Sequence, residues 1–189
     1  MEGFEAVMRV SHAIVSAHDL LVVLKERGCW SDVGRQGDFQ FMSLGESCDK
    51  SYKEFLLHGS VVMRYEFDLC EWQQIGIVAH EIGHALGFWH THSRYDRDRF
   101  ITVLEENINV TYIEEFLKLS KELNNNYGLT YDYGSVMHYG ATAASIDKNF
   151  TMVPKDVMYT GTLGSPFIAF YDLLMMNIYY NCTGIRHYQ

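Results

Sequence analysis

The sequence predicts an α+β domain, and three observations carry that prediction. Two short apolar runs near its start, around residues 19 to 25 and 39 to 44, have the length and residue types of strands. From Trp72 the apolar residues recur at helical spacing, and residues 111 to 123 and 166 to 181 look helical in their turn. No internal repeat, linker or low-complexity stretch divides the 189 residues, a length suited to a single domain with its own core.

In chain order, Phe4, Val7, Met8, Val10, Ile14 and Val15 suit a short amphipathic helix within residues 2 to 18. Residues 19 to 25 form a buried strand, and Glu26-Arg27-Gly28 supplies the turn after it. Residues 29 to 34 read as a short extended piece and 39 to 44 as a second strand. Residues 49 to 71 have no clear period and fit a hairpin or an inserted loop, with His58 a surface or packing residue. From Trp72 to Gly87, Ile75, Ile77, Val78, Ile82, Ala85 and Leu86 form the core side of a helix. The charge-dense run 91 to 100 reads as solvated loop. Residues 111 to 123 read as an amphipathic helix, with Thr111 as N-cap and Glu114 closing a capping box. Gly134 opens a turn containing Met137, and Pro166 begins a last helix reaching Asn181.

A formal charge of -9 and the lack of a basic run argue against a nucleic-acid surface. No apolar stretch is long enough to span a bilayer; the richest, residues 167 to 180, is broken by Asp172 and Asn177. The first residues lack a secretory signal's basic start and apolar run. Three acceptor patterns for N-glycosylation begin at Asn109, Asn149 and Asn181, and four cysteines, Cys29, Cys48, Cys70 and Cys182, allow three pairings. Together these suggest an oxidised, secreted, extracellular domain whose targeting segment is absent from this sequence.

The chemistry concentrates in residues 80 to 90, HEIGHALGFWH. His80 and His84 are one helical turn apart and can point at one ion, with Glu81 beside them. Gly87 can take φ > 0, end the helix and bring His90 round as a third ligand. Three neutral imidazoles suit Zn²⁺, one per chain, and leave a position for water, as catalytic rather than structural sites do. With 9 histidines and 15 glycines in the chain, the pattern would arise by chance in about one shuffled sequence in ten thousand, so it is a site and not a coincidence.

This motif, followed by Ser135-Val-Met-His-Tyr139, resembles the metzincin zinc endopeptidases and, within them, the astacin family. Gly28-CWSDVGR, HEIGHALGFWHTHSRYDRDRF, Glu106-Asn107-Ile108 and Tyr133-GSVMHYGA stand in the astacin order, over about residues 19 to 182. The resemblance implies a two-lobed domain. A sheet and the active-site helix form the upper lobe, and a mostly irregular lower lobe carries a long C-terminal helix. It implies zinc on His80, His84 and His90, Glu81 as general base and Met137 in the Met-turn under the metal. It also implies that Tyr139 is a fifth ligand at rest that swings away to stabilise the transition state. Protein or peptide substrates follow, hydrolysed by Glu81-assisted attack of water.

The chain departs from the family at four places. The family's N-terminal strand, helix and further cysteine have no room ahead of residue 19, and residues 49 to 71 stand as an insertion. The usual partner of Cys182 lies in that N-terminal segment, which leaves Cys182 free or paired with Cys70, while Cys29 has Cys48 and Cys70 as candidates. Thr91 replaces the glutamate that astacins usually carry after the third histidine, and no propeptide is recognisable. A catalytically impaired fragment or zinc-binding interaction module is the competing reading.

Overall fold

The computed structural model describes residues 20–24, 26–35, 37, 39–45, 52–57, 60–65 and 72–182. The helix expected within residues 2 to 18, His58, Cys48 and Cys70 lie outside them. The chain forms two compact units, residues 1–88 and 89–189.

In the first unit, strands β1 (Leu20–Leu24), β2 (Cys29–Ser31) and β3 (Phe39–Leu44) form a sheet of order β1-β3-β2. β1 runs parallel to β3, and β2 antiparallel to it. Along β3, Met42 and Leu44 are buried against Cys29, Ile77, Val78, Ile82 and Ala85, Ser43 is buried with its hydroxyl on the Glu26 and Gly28 carbonyls, and Phe41 is 42% exposed. Gln40 Nε2 donates to the Ala85 carbonyl at 2.9 Å, joining the sheet to the end of the helix. Strands β4 (Tyr52–Leu57) and β5 (Ser60–Tyr65) pair antiparallel, from Leu57↔Ser60 to Tyr52↔Tyr65, so the stretch that read as hairpin or loop is a hairpin. Cys29 is disulfide-bonded, and Cys182, in the second unit, is free and exposed.

Helix α1 (Trp72–Ala85) ends in a Schellman cap. The Phe88 N–H donates to the Gly83 carbonyl at 3.0 Å and the Gly87 N–H to the His84 carbonyl at 2.8 Å, with Gly87 at φ 96°. The Gly34 N–H donates to the same His84 carbonyl at 2.8 Å, so orphan acceptors at the helix end are satisfied from two directions.

The second unit has little regular structure. Strands β6 (Ile101–Val103) and β7 (Met152–Pro154) pair antiparallel, and helix α2 spans Phe170–Tyr179. Before and between them the backbone makes short 3₁₀ turns at Thr91–Ser93, Arg97–Arg99, Glu105–Asn107, Val110–Phe116 and Val157–Tyr159. Its core gathers Ile101, Ile108, Phe116, Tyr131, Met152 and Leu163.

Irregular backbone can be buried only if its polar groups find partners, and here side chains supply them. Arg94 grips Asp96 bidentately, both bonds at 2.9 Å, and donates to the carbonyls of Thr130 at 2.9 Å and Leu129 at 3.3 Å. Arg97 donates to the His92 carbonyl at 3.1 Å and to the Phe116 carbonyl. This corrects the solvated-loop expectation for residues 91 to 100: His92, Ser93, Arg94 and Arg97 are buried because that charge serves as internal backbone donors. Burial alone would raise the Asp96 carboxyl, but the Arg94 hydrogen bonds and charge outweigh it and hold Asp96 below its ordinary value.

Two helix expectations are also corrected. Residues 111 to 123 are not an α-helix: Asn109, not Thr111, is the cap, its Oδ1 accepting the Thr111 N–H at 3.1 Å, and the 3₁₀ turns end at Phe116. There Arg97 takes the Phe116 carbonyl and the Leu119 N–H donates to Ser93, so tertiary bonds replace the helical ladder. The last helix starts at Phe170 rather than Pro166, because the Asp172 carboxylate accepts the Ala169 N–H at 2.9 Å and sets the cap there.

Arg97→Leu leaves two buried carbonyls without their donor, and we expect it to lower unfolding free energy by about 2–4 kcal/mol in urea titrations. Gly87→Ala forces a Cβ into the left-handed region, and a loss of about 1–2 kcal/mol by the same measurement is expected.

Candidate metal centre

Helix α1 presents His80, Glu81 and His84 within little more than one turn. The His80 and His84 rings lie 4.6 Å apart at 89°. His84 Nδ1 lies 2.7 Å from the Phe88 carbonyl, which can only accept, so Nδ1 carries the proton and the neutral ring keeps its lone pair at Nε2. Burial, reinforced by His80, pushes the His84 pKa down to about 4 against the Phe88 bond, which keeps the ring in the form a metal requires. Glu81 is 5% exposed, and burial pushes its carboxyl up to about 7. Its buried Oε2 has no hydrogen-bond partner among the described residues.

Beyond the Gly87 cap, His90 is extended at φ -56°, ψ 135°, and its carbonyl accepts the Ser93 N–H at 3.0 Å. Its ring stacks on His92, 5.0 Å away and 18° from parallel, and Nδ1 lies 3.9 Å from Glu115 Oε2. The Tyr139 ring is 4.4 Å from the rings of both His90 and His92. Met137 is 2% exposed, and its carbonyl accepts the Thr91 N–H at 3.0 Å.

One ligand-capable nitrogen from each of His80, His84 and His90 lies within 4.8 Å of the others, so this group could bind a metal ion. The donor set fits zinc: neutral imidazoles of borderline softness, three in number. The unpartnered oxygen of Glu81 is what a site intended for a further polar occupant contains. The structure thus brings together the three histidines that the sequence singles out, and it sets the Tyr139 ring beside that of His90.

Other residues around His90 were not legible. His92 is fully buried and shelves the His90 ring while its Nε2 donates to the Glu115 carbonyl at 3.0 Å, yet nothing in its spacing distinguishes it from a loop histidine. His138 donates from Nδ1 to the Tyr139 carbonyl and accepts the Tyr131 hydroxyl at Nε2, each at 2.7 Å; burial pushes its pKa down to about 4. Ser135 and Asp172 join residues 37 apart through a 2.6 Å bond that only the folded chain shows.

The family model described as Astacin, a peptidase family, matches residues 8–59 and 67–181, so that of the insertion expected at 49 to 71 only residues 60–66 fall outside the match. The zinc metalloproteinase nas-31 of Caenorhabditis elegans is 44% identical over 163 residues, covering 86% of this chain and 23% of that protein. The zinc metalloproteinase nas-36 of Brugia malayi is 36% identical over 168 residues, covering 88% of this chain and 25% of that protein. The chain thus spans about a quarter of the length of these relatives. Among solved structures, high choriolytic enzyme 1, a hatching enzyme zinc-protease from Oryzias latipes, superposes with a TM-score of 0.71. It is 28% identical, and the match covers 96% of this chain and 82% of that one. With the histidine group in place and a family match over most of its length, the chain belongs to the astacin family of peptidases.

Proposed function

We propose that this chain is a zinc-dependent metalloendopeptidase that hydrolyses peptide bonds in proteins, with His80, His84 and His90 holding the metal. The observation that carries the reading is the grouped ligand nitrogens of these histidines in a chain whose Glu81 carries a buried, unpartnered carboxylate oxygen. Family membership and the relatives' names support it.

Bound zinc supplies a Lewis acid that polarises the scissile carbonyl and lowers the pKa of a bound water towards about 7. Glu81 Oε2 accepts the proton of the attacking water and returns it to the leaving amine. Burial favours the protonated carboxyl, so holding that proton between the two steps costs little. Tyr139, whose ring lies 4.4 Å from that of His90, would supply its hydroxyl as a further ligand when the metal is bound and would donate a hydrogen bond to the developing oxyanion. His92, stacked on His90 and packed at a tilt against Tyr139, limits the directions these rings can take.

Substrates are proteins or peptides, and the charge of -9 argues against nucleic acid. No helix among the described residues is long and apolar enough to cross a membrane. Secretion is the route we infer, supported by the disulfide at Cys29 and by Asn109, an exposed acceptor at the start of an exposed Asn-Val-Thr pattern. The Asn149 pattern suits a glycan less, because its Thr151 is fully buried and donates to the Ala143 carbonyl at 2.9 Å.

Metal analysis of the purified chain is expected to find one zinc, and chelation should abolish cleavage of a denatured protein substrate until zinc is restored. Glu81→Ala should retain zinc and lose at least about a hundredfold in turnover; cleavage at the parent rate would overturn the assignment. Tyr139→Phe should lower kcat about a hundredfold with KM little changed, and an equal rise in KM at constant kcat would remove Tyr139 from the transition state. Zinc bound without any turnover would favour the interaction-module reading instead.

A further inference from the structure

The peptide unit joining His90 to Thr91 is held through two hydrogen bonds of Thr91. Its N–H donates to the Met137 carbonyl at 3.0 Å, and on the Thr91 side the hydroxyl Oγ1 donates to Ser135 Oγ at 2.9 Å. A Ser hydroxyl has one proton and two lone pairs, and all three are committed here. Ser135 Oγ accepts from Thr91 and from the Met137 N–H at 3.0 Å, and it donates its own proton to Asp172 Oδ1 at 2.6 Å. Asp172 is buried and ends the chain: its Oδ2 accepts the N–H groups of Val136 at 3.0 Å and Ala169 at 2.9 Å. With Asp172 ionised, both its oxygens accept, and the hydrogen bonds run from Thr91 through Ser135 to Asp172.

We propose that Thr91 is a positioning residue of the metal centre, its hydroxyl fixing the backbone that orients His90 by anchoring it through Ser135 to Asp172 at the start of α2. The plane of the 90–91 peptide sets ψ of His90, so tilting that plane swings the whole residue, ring included. Two hydrogen bonds, from the backbone N–H and the side-chain hydroxyl of Thr91, restrict that freedom before any ligand arrives. Preorganisation of this kind acts on ligand affinity, because an unpinned segment must be ordered when the ion binds. Thr91 is the one member of the set whose side chain can be altered without touching a buried carboxylate.

The inference rests on the zinc-binding reading, and the experiment separates the two. Zinc affinity is measured on the full chain by competition with a chromophoric chelator, for the parent, Thr91→Val and Thr91→Ser, beside thermal melting of each metal-free protein. Valine keeps the shape and removes the donor; serine keeps the donor. We expect Thr91→Val to weaken zinc binding about tenfold and Thr91→Ser to restore it to within about twofold, the scale at which groups supporting metal ligands act. We also expect the visible absorption spectrum of the cobalt-substituted Thr91→Val protein to differ from the parent's at saturating metal. Unchanged affinity and cobalt spectrum in Thr91→Val would overturn the positioning role alone. So would a loss in Thr91→Val that Thr91→Ser shares, or one matched by an equal loss of metal-free stability. A parent chain that binds no zinc would overturn this inference together with the reading beneath it.

Discussion

The structure turns on a limitation of the α-helix. Residues four apart share a face, so a helix readily offers His80 and His84 to one ion, but three equivalent nitrogens around a tetrahedral centre cannot all come from one straight helix. The third must arrive from a different direction, over a short connection if its position is to be exact. Gly87 is where the chain makes that change. At φ 96° it closes the Schellman cap that satisfies the carbonyls of Gly83 and His84 and turns the backbone towards His90 within three residues. The same cap holds the Phe88 carbonyl within 2.7 Å of His84 Nδ1, so ending the helix and choosing the tautomer of its second histidine are one event.

Ending the helix has a cost that the rest of the second unit meets. Past Gly87 the backbone runs through short 3₁₀ turns and two three-residue strands, which leave most N–H and C=O groups without ladder partners. Arginines, threonines and serines take those places: Arg94 and Arg97 serve four carbonyls, the Thr151 hydroxyl serves that of Ala143, and Ser135 commits all its hydrogen-bonding capacity around Met137. A guanidinium suits this task because it offers five donors in a rigid plane and stays charged at any accessible pH. Rigidity here comes from hydrogen bonds of determined direction rather than from secondary structure.

That division explains what the sequence disclosed. Where the backbone is regular, period and propensity suffice: β1, β3 and α1 fall where the apolar spacing puts them, and the ligand histidines are legible because their spacing is itself a helical geometry. Where side chains satisfy the backbone, composition misleads. The run from Thr91 to Phe100 is charged, and charge is ordinarily solvated, yet Arg94 and Arg97 face inward because carbonyls 19 to 36 residues further on need donors. Residues 111 to 123 have an apolar face of helical spacing, but the carbonyl that would continue a helix from Phe116 belongs to Arg97. Asp172 interrupts an apolar stretch in the sequence, and in the structure it is at once the cap of α2 and the terminus of the Thr91–Ser135 chain. Long-range partnerships of this kind leave no periodic trace.

Glu81 shows how fold and chemistry compete for the same group. A carboxylate whose Oε2 is buried without a partner destabilises the chain that contains it, and burial alone raises its pKa from an ordinary 4.5 to about 7. No helix needs a glutamate at that position, and a glutamine of the same shape would be easier to bury. In the function proposed above, the glutamate is the proton acceptor, beside a position where a divalent cation would draw it back towards ionisation. Desolvation and the cation act on this carboxyl in opposite senses. In the proposed role as base, Glu81 depends on neither effect prevailing over the other.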